Sequence, residues 1–121
     1  MLSGLSVFNP PPCEKCQVTE REIGTWIDGK VLYEKVIKGT VGSSGALFYE
    51  TSSINLVSLY GNVGFSTSGW VGFYYINGWY SDACHFYVVY EPSKNGFCYY
   101  YKSNYFTNQL FTLVIRYTKG T

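Results

Sequence analysis

Residues 20–38 read Glu20-Arg-Glu-Ile-Gly-Thr-Trp-Ile-Asp-Gly-Lys-Val-Leu-Tyr-Glu-Lys-Val-Ile-Lys38. Asp28-Gly29 stands between runs that carry apolar residues, and this dipeptide tolerates the positive φ angles of a two-residue type I′ turn. The stretch therefore predicts a β-hairpin, with its second strand over 30–38. In that hairpin Trp26, Ile27, Leu32 and Tyr33 supply the packing area. From Ile23 onward every plausible element is a strand, because glycine recurs too often for a long helix.

The remaining strands follow from the same pattern. Residues 46–50 form a short one. Residues 54–60 are ambiguous, since Ile54, Val57 and Leu59 do not separate the two periods. Their shortness, with Gly61 and Gly64 following, favours strand. Trp70-Val-Gly-Phe-Tyr-Tyr-Ile76 runs into Asn77-Gly78 and then Trp79-Tyr80, which predicts a second hairpin. Residues 84–90 and 97–102 flank Glu91-Pro-Ser-Lys-Asn-Gly96, a turn cluster. In the last strand Phe111, Leu113, Ile115 and Tyr117 share one face, and a period of two buries that set. Seven or eight short strands with no alternating helix pattern predict an all-β fold: an antiparallel β-sandwich, jelly-roll-like.

The chain has 121 residues, enough for one domain with a core of its own. Its net charge of +1 and 14% charged residues leave no basic stripe, so nucleic acid is not an expected partner. No apolar run approaches the roughly 20 residues needed to span a bilayer, so no membrane association is expected. The start of the chain lacks the charged and apolar regions of a signal peptide, which predicts a protein held in the cytoplasm until assembly or lysis. Thirteen tyrosines bring the aromatic content to 20%. Tyrosine suits interfaces and glycan-binding surfaces, and it is also a good strand former. Two parts are expected: an arm over residues 1–19 and the sandwich over 20–121. In the arm, Pro10, Pro11 and Pro12 form a stiff spacer behind Leu2, Leu5, Val7 and Phe8. Such apolar residues serve a docking peptide better than a solvated tail; packing back over a sheet edge is the plainer role.

The stretch 20–38 resembles a segment of tailed-bacteriophage virion proteins, written roughly E-x-x-I-G-T-W-I-D-G-K-P-L-Y-E-K-x-I. Val31 stands where those proteins often have proline. The chain end, Leu113-Val-Ile-Arg-Tyr-Thr-Lys119, resembles the closing strand of the same modules, and the two pieces occur in the same order. About 25 residues carry the likeness, and the middle of the chain, 39–109, carries none. The resemblance implies a non-enzymatic component of a virion: a head fibre, a capsid decoration protein or a tail-fibre module. It also implies a homotrimer, with the arm as anchor to a capsid or tail protein and the sandwich facing outward, where a host surface glycan is a candidate ligand. A carbohydrate-binding or carbohydrate-acting sandwich outside any virion is the alternative.

Chemistry-bearing residues are sparse. Cys13 and Cys16 have metal-knuckle spacing, but tetrahedral zinc needs four ligands. Within one chain two reduced thiols are the simpler reading, although arms meeting in a trimer would bring copies of Cys13 and Cys16 together. Cys84 and Cys98 fall in predicted strands whose register keeps them beyond disulfide reach, with Cys98 facing Val89 or Tyr90. His85 is the only histidine, and the only aspartates, Asp28 and Asp82, lie in turn or loop. No spacing selects a catalytic pair, so no catalytic residue and no cofactor are expected. The best ligand-binding candidates are Trp70, Tyr74, Tyr75, Trp79 and Tyr80 around the second hairpin, with Tyr105 from the polar-aromatic loop 102–108. Aromatic faces stack on sugar rings and anchor interfaces. The competing role for this cluster is core or subunit packing, for Trp70 in particular.

Overall fold

The computed structural model describes residues 17–78, 81 and 84–120. Leu2, Leu5, Val7, Phe8, Pro10, Pro11, Pro12, Cys13, Cys16, Trp79, Tyr80 and Asp82 lie outside the described residues. The strands are β1 (Gln17–Thr25), β2 (Val31–Thr40), β3 (Leu47–Glu50), β4 (Ile54–Ser66), β5 (Val71–Tyr75), β6 (Phe86–Glu91), β7 (Gly96–Tyr101) and β8 (Leu110–Lys119). They form two antiparallel sheets, a five-stranded one ordered β1-β2-β8-β4-β5 and a three-stranded one ordered β3-β7-β6. Together they make an all-β sandwich. Gln17–Thr19, at the edge of the expected arm, already pair with β2.

The core lies between the inner faces. Strand β8 is central to the larger sheet, and its Phe111, Leu113, Ile115 and Tyr117 are buried, as a period of two requires. Phe97 and Tyr99 of β7 and Phe48 of β3 face them from the smaller sheet. Phe48 stacks on Tyr99 at 4.7 Å between ring centres and meets Phe111 edge-on at 5.3 Å. The tyrosines divide between core and surface: Tyr49, Tyr99 and Tyr117 are buried, while Tyr60 and Tyr75 are exposed.

The two segments at opposite ends of the chain become neighbours here, because β2 pairs with both β1 and β8. Glu34 of β2 receives Arg21 of β1 on Oε1 (3.0 Å) and Arg116 of β8 on Oε2 (3.0 Å), so one buried carboxylate ties the three strands. Burial alone pushes this carboxyl up, but the hydrogen bonds and charges of the two arginines outweigh it and hold it below the usual range.

The structure corrects several expectations. The first hairpin does not use a two-residue turn. Gly29 N–H donates to Trp26 C=O (2.9 Å) and Trp26 N–H to Lys30 C=O (2.8 Å), and only Gly29 of the loop takes a positive φ, +88°. This is the three-residue loop in which a type I turn is followed by a left-handed glycine. Asp28 stays at negative φ and its Oδ1 accepts Lys30 N–H instead. Ile27 at the tip is 91% exposed and Trp26 is also exposed, so the hairpin packs through Leu32 and Tyr33 alone of the four residues assigned to packing. Strand β4 does not stop before Gly61 but runs on to Ser66. Gly61 lies opposite Leu113, where a Cβ would collide with the carbonyl oxygen of Thr112, so glycine here permits close strand approach rather than ending the strand.

Asn77-Gly78 does not close the predicted hairpin either. The partner of β5 is β4, through the tight turn Thr67–Trp70. Asn77 instead crosses from one sheet to the other. Its N–H donates to Phe86 C=O (2.8 Å), and its side-chain amide exchanges both hydrogen bonds with the backbone of Val88 (2.8 and 3.2 Å). It thus covers the free edge of β6. The β6–β7 hairpin and its turn are as read from the sequence, with Cys98 opposite Val89; Cys84 and Cys98 are both free thiols.

Candidate ligand-binding site

The β4–β5 turn is built by Thr67, whose Oγ1 accepts the N–H groups of Gly69 (3.1 Å) and Trp70 (3.0 Å). This turn leaves Trp70 at the tip, 70% exposed, so it is not core. Alternation along β5 sends Tyr74 inward, where its ring lies 4.1 Å from that of Phe65 and edge-on to Phe106 at 5.9 Å. Phe106 is fully buried and anchors the short 3-10 turn Asn104–Phe106, which is capped by Ser103 Oγ accepting Tyr105 N–H. That anchor swings Tyr105 to the surface beside the β4–β5 turn.

The result is a cleft of about 280 Å³ lined by Phe65, Thr67, Trp70, Tyr74, Cys84 and Tyr105. Three of the six candidate residues, Trp70, Tyr74 and Tyr105, are thus brought together. Tyr75 is not: it points to the opposite face of β5, 74% exposed. Trp79 and Tyr80 lie outside the described residues. Among the described residues the lining contains no ionisable acid or base other than the thiol and the phenols. It offers ring faces with hydroxyls at their rim, which suits stacking and hydrogen bonding to a neutral hydroxylated ligand. Its volume is at the small end for a ligand pocket, the size of a single ring rather than an extended molecule.

Strand β5 also presents an outer row. Val71, Phe73 and Tyr75 are 85%, 69% and 74% exposed, and among the described residues β5 pairs only with β4. An exposed, uncharged edge strand of this kind is a template for pairing with another chain. The opposite edge, β1, carries Glu20, Arg21 and Glu22.

One group of residues was missed. Glu20, Lys35, Tyr117 and Lys119 meet at the end of the sandwich where β1, β2 and β8 are adjacent. Lys35 Nζ donates to Tyr49 Oη (2.6 Å) and lies 3.7 Å from Glu20 Oε1; Lys119 Nζ lies 3.7 Å from Glu20 Oε2. Tyr117 Oη donates to Glu20. These side chains border a cleft of about 400 Å³, which Thr51, Ser52 and Ser53 also line. The signal was available: period two puts Lys35 on the face of Ile37, and Lys119 on the face of Ile115 and Tyr117. Charges at inward positions of apolar strands mark a site where the core opens to water.

Burial pushes the Cys98 thiol up, assisted by the Glu91 carboxylate, which makes it a poor nucleophile. Tyr100 Oη donates to Glu91, which pushes its own pKa up to about 12. His85 is buried, with Nδ1 2.9 Å from the Ser81 carbonyl oxygen. Among the described residues no three of His, Cys, Asp and Glu are grouped to hold a metal.

No family model, curated protein or solved structure matches this chain.

Proposed function

We propose that this protein is a non-enzymatic structural module of a tailed-phage virion, self-associated through its sandwich, anchored by its N-terminal arm and able to bind a surface glycan. The observation that carries the reading is the pair of segments 20–38 and 113–119, which resemble those of phage virion proteins. Their becoming hydrogen-bonded neighbours, tied by Glu34 to Arg21 and Arg116, supports a shared structural role rather than a catalytic one. The edge of β5, unpaired among the described residues, supports self-association, for which a homotrimer is the proposed form. The cleft of Trp70, Tyr74 and Tyr105 supports glycan binding.

A carbohydrate-binding protein outside any virion is the second reading, and the same aromatic cleft favours it. Two experiments separate the elements. Glycan-array binding that Trp70→Ala abolishes assigns the cleft; a blank array returns the protein to a purely structural role. Recovery of the chain in purified particles, lost when residues 1–16 are deleted, tests the virion and anchor assignments together. Particles without it leave only the carbohydrate-binding reading.

A further inference from the structure

We propose a second ligand site, in the cleft bordered by Glu20, Lys35, Tyr117 and Lys119, whose ligand is a carboxylated sugar. It goes beyond the aromatic cleft and does not depend on it.

The charge balance points to an anion. Two ammonium groups, Lys35 and Lys119, face the single carboxylate of Glu20, each at 3.7 Å. Among the described residues one positive charge is therefore uncompensated in a concave space, where field lines are focused. The two lysines are not equivalent. Lys35 is nearly enclosed, its side chain 14% exposed, its amine donating to Tyr49 and lying near the rings of Tyr49 (4.9 Å) and Tyr117 (5.6 Å). Lys119 is at the mouth, 56% exposed, with its amine 4.3 Å over the ring of Tyr33. An ammonium carries three donors, and a separation of 3.7 Å is too long to commit one to Glu20. Lys119 is thus the group that meets an incoming carboxylate.

The rest of the lining selects among anions. Glu20 has about four acceptor positions, of which Tyr117 occupies one. Its carboxylate repels a multiply charged ion such as phosphate, but it accepts hydrogen bonds from hydroxyl groups. Thr51, Ser52 and Ser53, three hydroxyl-bearing residues, also line the cleft. A ligand with one carboxylate for Lys119 and several hydroxyls for Glu20 and the serines matches this lining. A neutral sugar leaves the excess charge unmatched, and a simple carboxylate leaves the hydroxyl-binding groups unused.

The test is titration of the full chain with glucuronate, glucose, acetate and inorganic phosphate, followed by backbone amide NMR shifts at Ser52, Ser53, Lys119 and Gly120. Glucuronate should bind at least about tenfold more tightly than the other three, the scale of one charge-assisted hydrogen bond. Lys119→Glu, a substitution at a half-exposed side chain, should weaken glucuronate by about tenfold or more, and Lys119→Arg should retain it. Trp70→Ala should leave glucuronate binding unchanged, so failure of the aromatic-cleft reading is seen separately. Equal binding of glucose, or of acetate and phosphate, overturns the proposal, as does a Lys119→Glu protein that binds glucuronate like wild type.

Discussion

Asn77 is a hydrogen-bonded joint between the two sheets, and its replacement gives a graded test of their packing. Two side-chain hydrogen bonds to Val88 are lost in Asn77→Ala, each contributing about 1 kcal/mol net. Asn77 also holds a φ of +65°, a region that costs alanine about 1 kcal/mol or more relative to glycine. Asn77→Ala should therefore lower stability by about 3 kcal/mol. Asn77→Gly keeps the backbone but not the bonds and should lose about 2 kcal/mol. Asn77→Asp keeps the acceptor for Val88 N–H and turns an anionic oxygen toward Val88 C=O, so it should fall as far as alanine near neutral pH. For a chain of this length about 1 kcal/mol moves the melting temperature by about 4 °C, so the alanine variant should melt about 12 °C lower. Urea unfolding followed by tryptophan fluorescence reads all three. An alanine variant within about 0.5 kcal/mol of wild type would refute the assignment of Asn77 as the cover of the β6 edge.

Three further outcomes follow from the same geometry. Gly29→Val should cost about 1–2 kcal/mol from backbone strain alone, since no atom lies within 4 Å of a Cβ there; Gly29→Asn should recover most of it, and urea midpoints compare the two. The folded-state pKa of Glu34 lies below its ordinary value of 4.5, so its contribution to stability is fully present above about that pH and is lost as pH falls through the lower folded value. Glu34→Gln should accordingly be less stable than wild type at pH 7 and flatten the acid limb of the stability profile; an unchanged acid limb counts against the Arg21–Glu34–Arg116 tie. Wild-type protein should scatter light as an oligomer, three times the 13.7 kDa chain for a trimer, and Phe73→Lys on the bare β5 edge should give a folded monomer. A wild-type monomer at tens of micromolar, about the range where weak assemblies persist, would remove that interface.

Much of the fold was legible because strand periodicity and turn chemistry acted locally. Strand β8 buries the face its alternation marks, and the β6–β7 hairpin turns where Pro92 and Asn95-Gly96 allow it. Apart from the local Asp28-Gly29 turn, which belongs to a three-residue loop, what was misread depended on distant partners. Gly61 looked like the end of a strand until Thr112 lay against it across the sheet. Asn77-Gly78 carries the strongest short-range hairpin signal, but tertiary packing gave Asn77 an edge in the other sheet to cover. The aromatic cleft was half legible. Trp70, Tyr74 and Tyr105 were named, yet alternation on β5 separates Tyr75 from Tyr74. The charged cleft was not legible as one site because Glu20, Lys35 and Lys119 lie on three strands that only sheet register brings together.

The account turns on whether this chain is a structural part of a particle. The most direct measurement is quantitative peptide mass spectrometry of density-banded particles released from cells that carry the gene, with a matched strain encoding the chain without residues 1–16. The account predicts peptides of this protein at a fixed ratio to the capsid or tail protein that holds it, and their loss from particles of the truncated strain while the sandwich remains folded in the lysate. Peptides found only in the soluble fraction of the intact strain would contradict it.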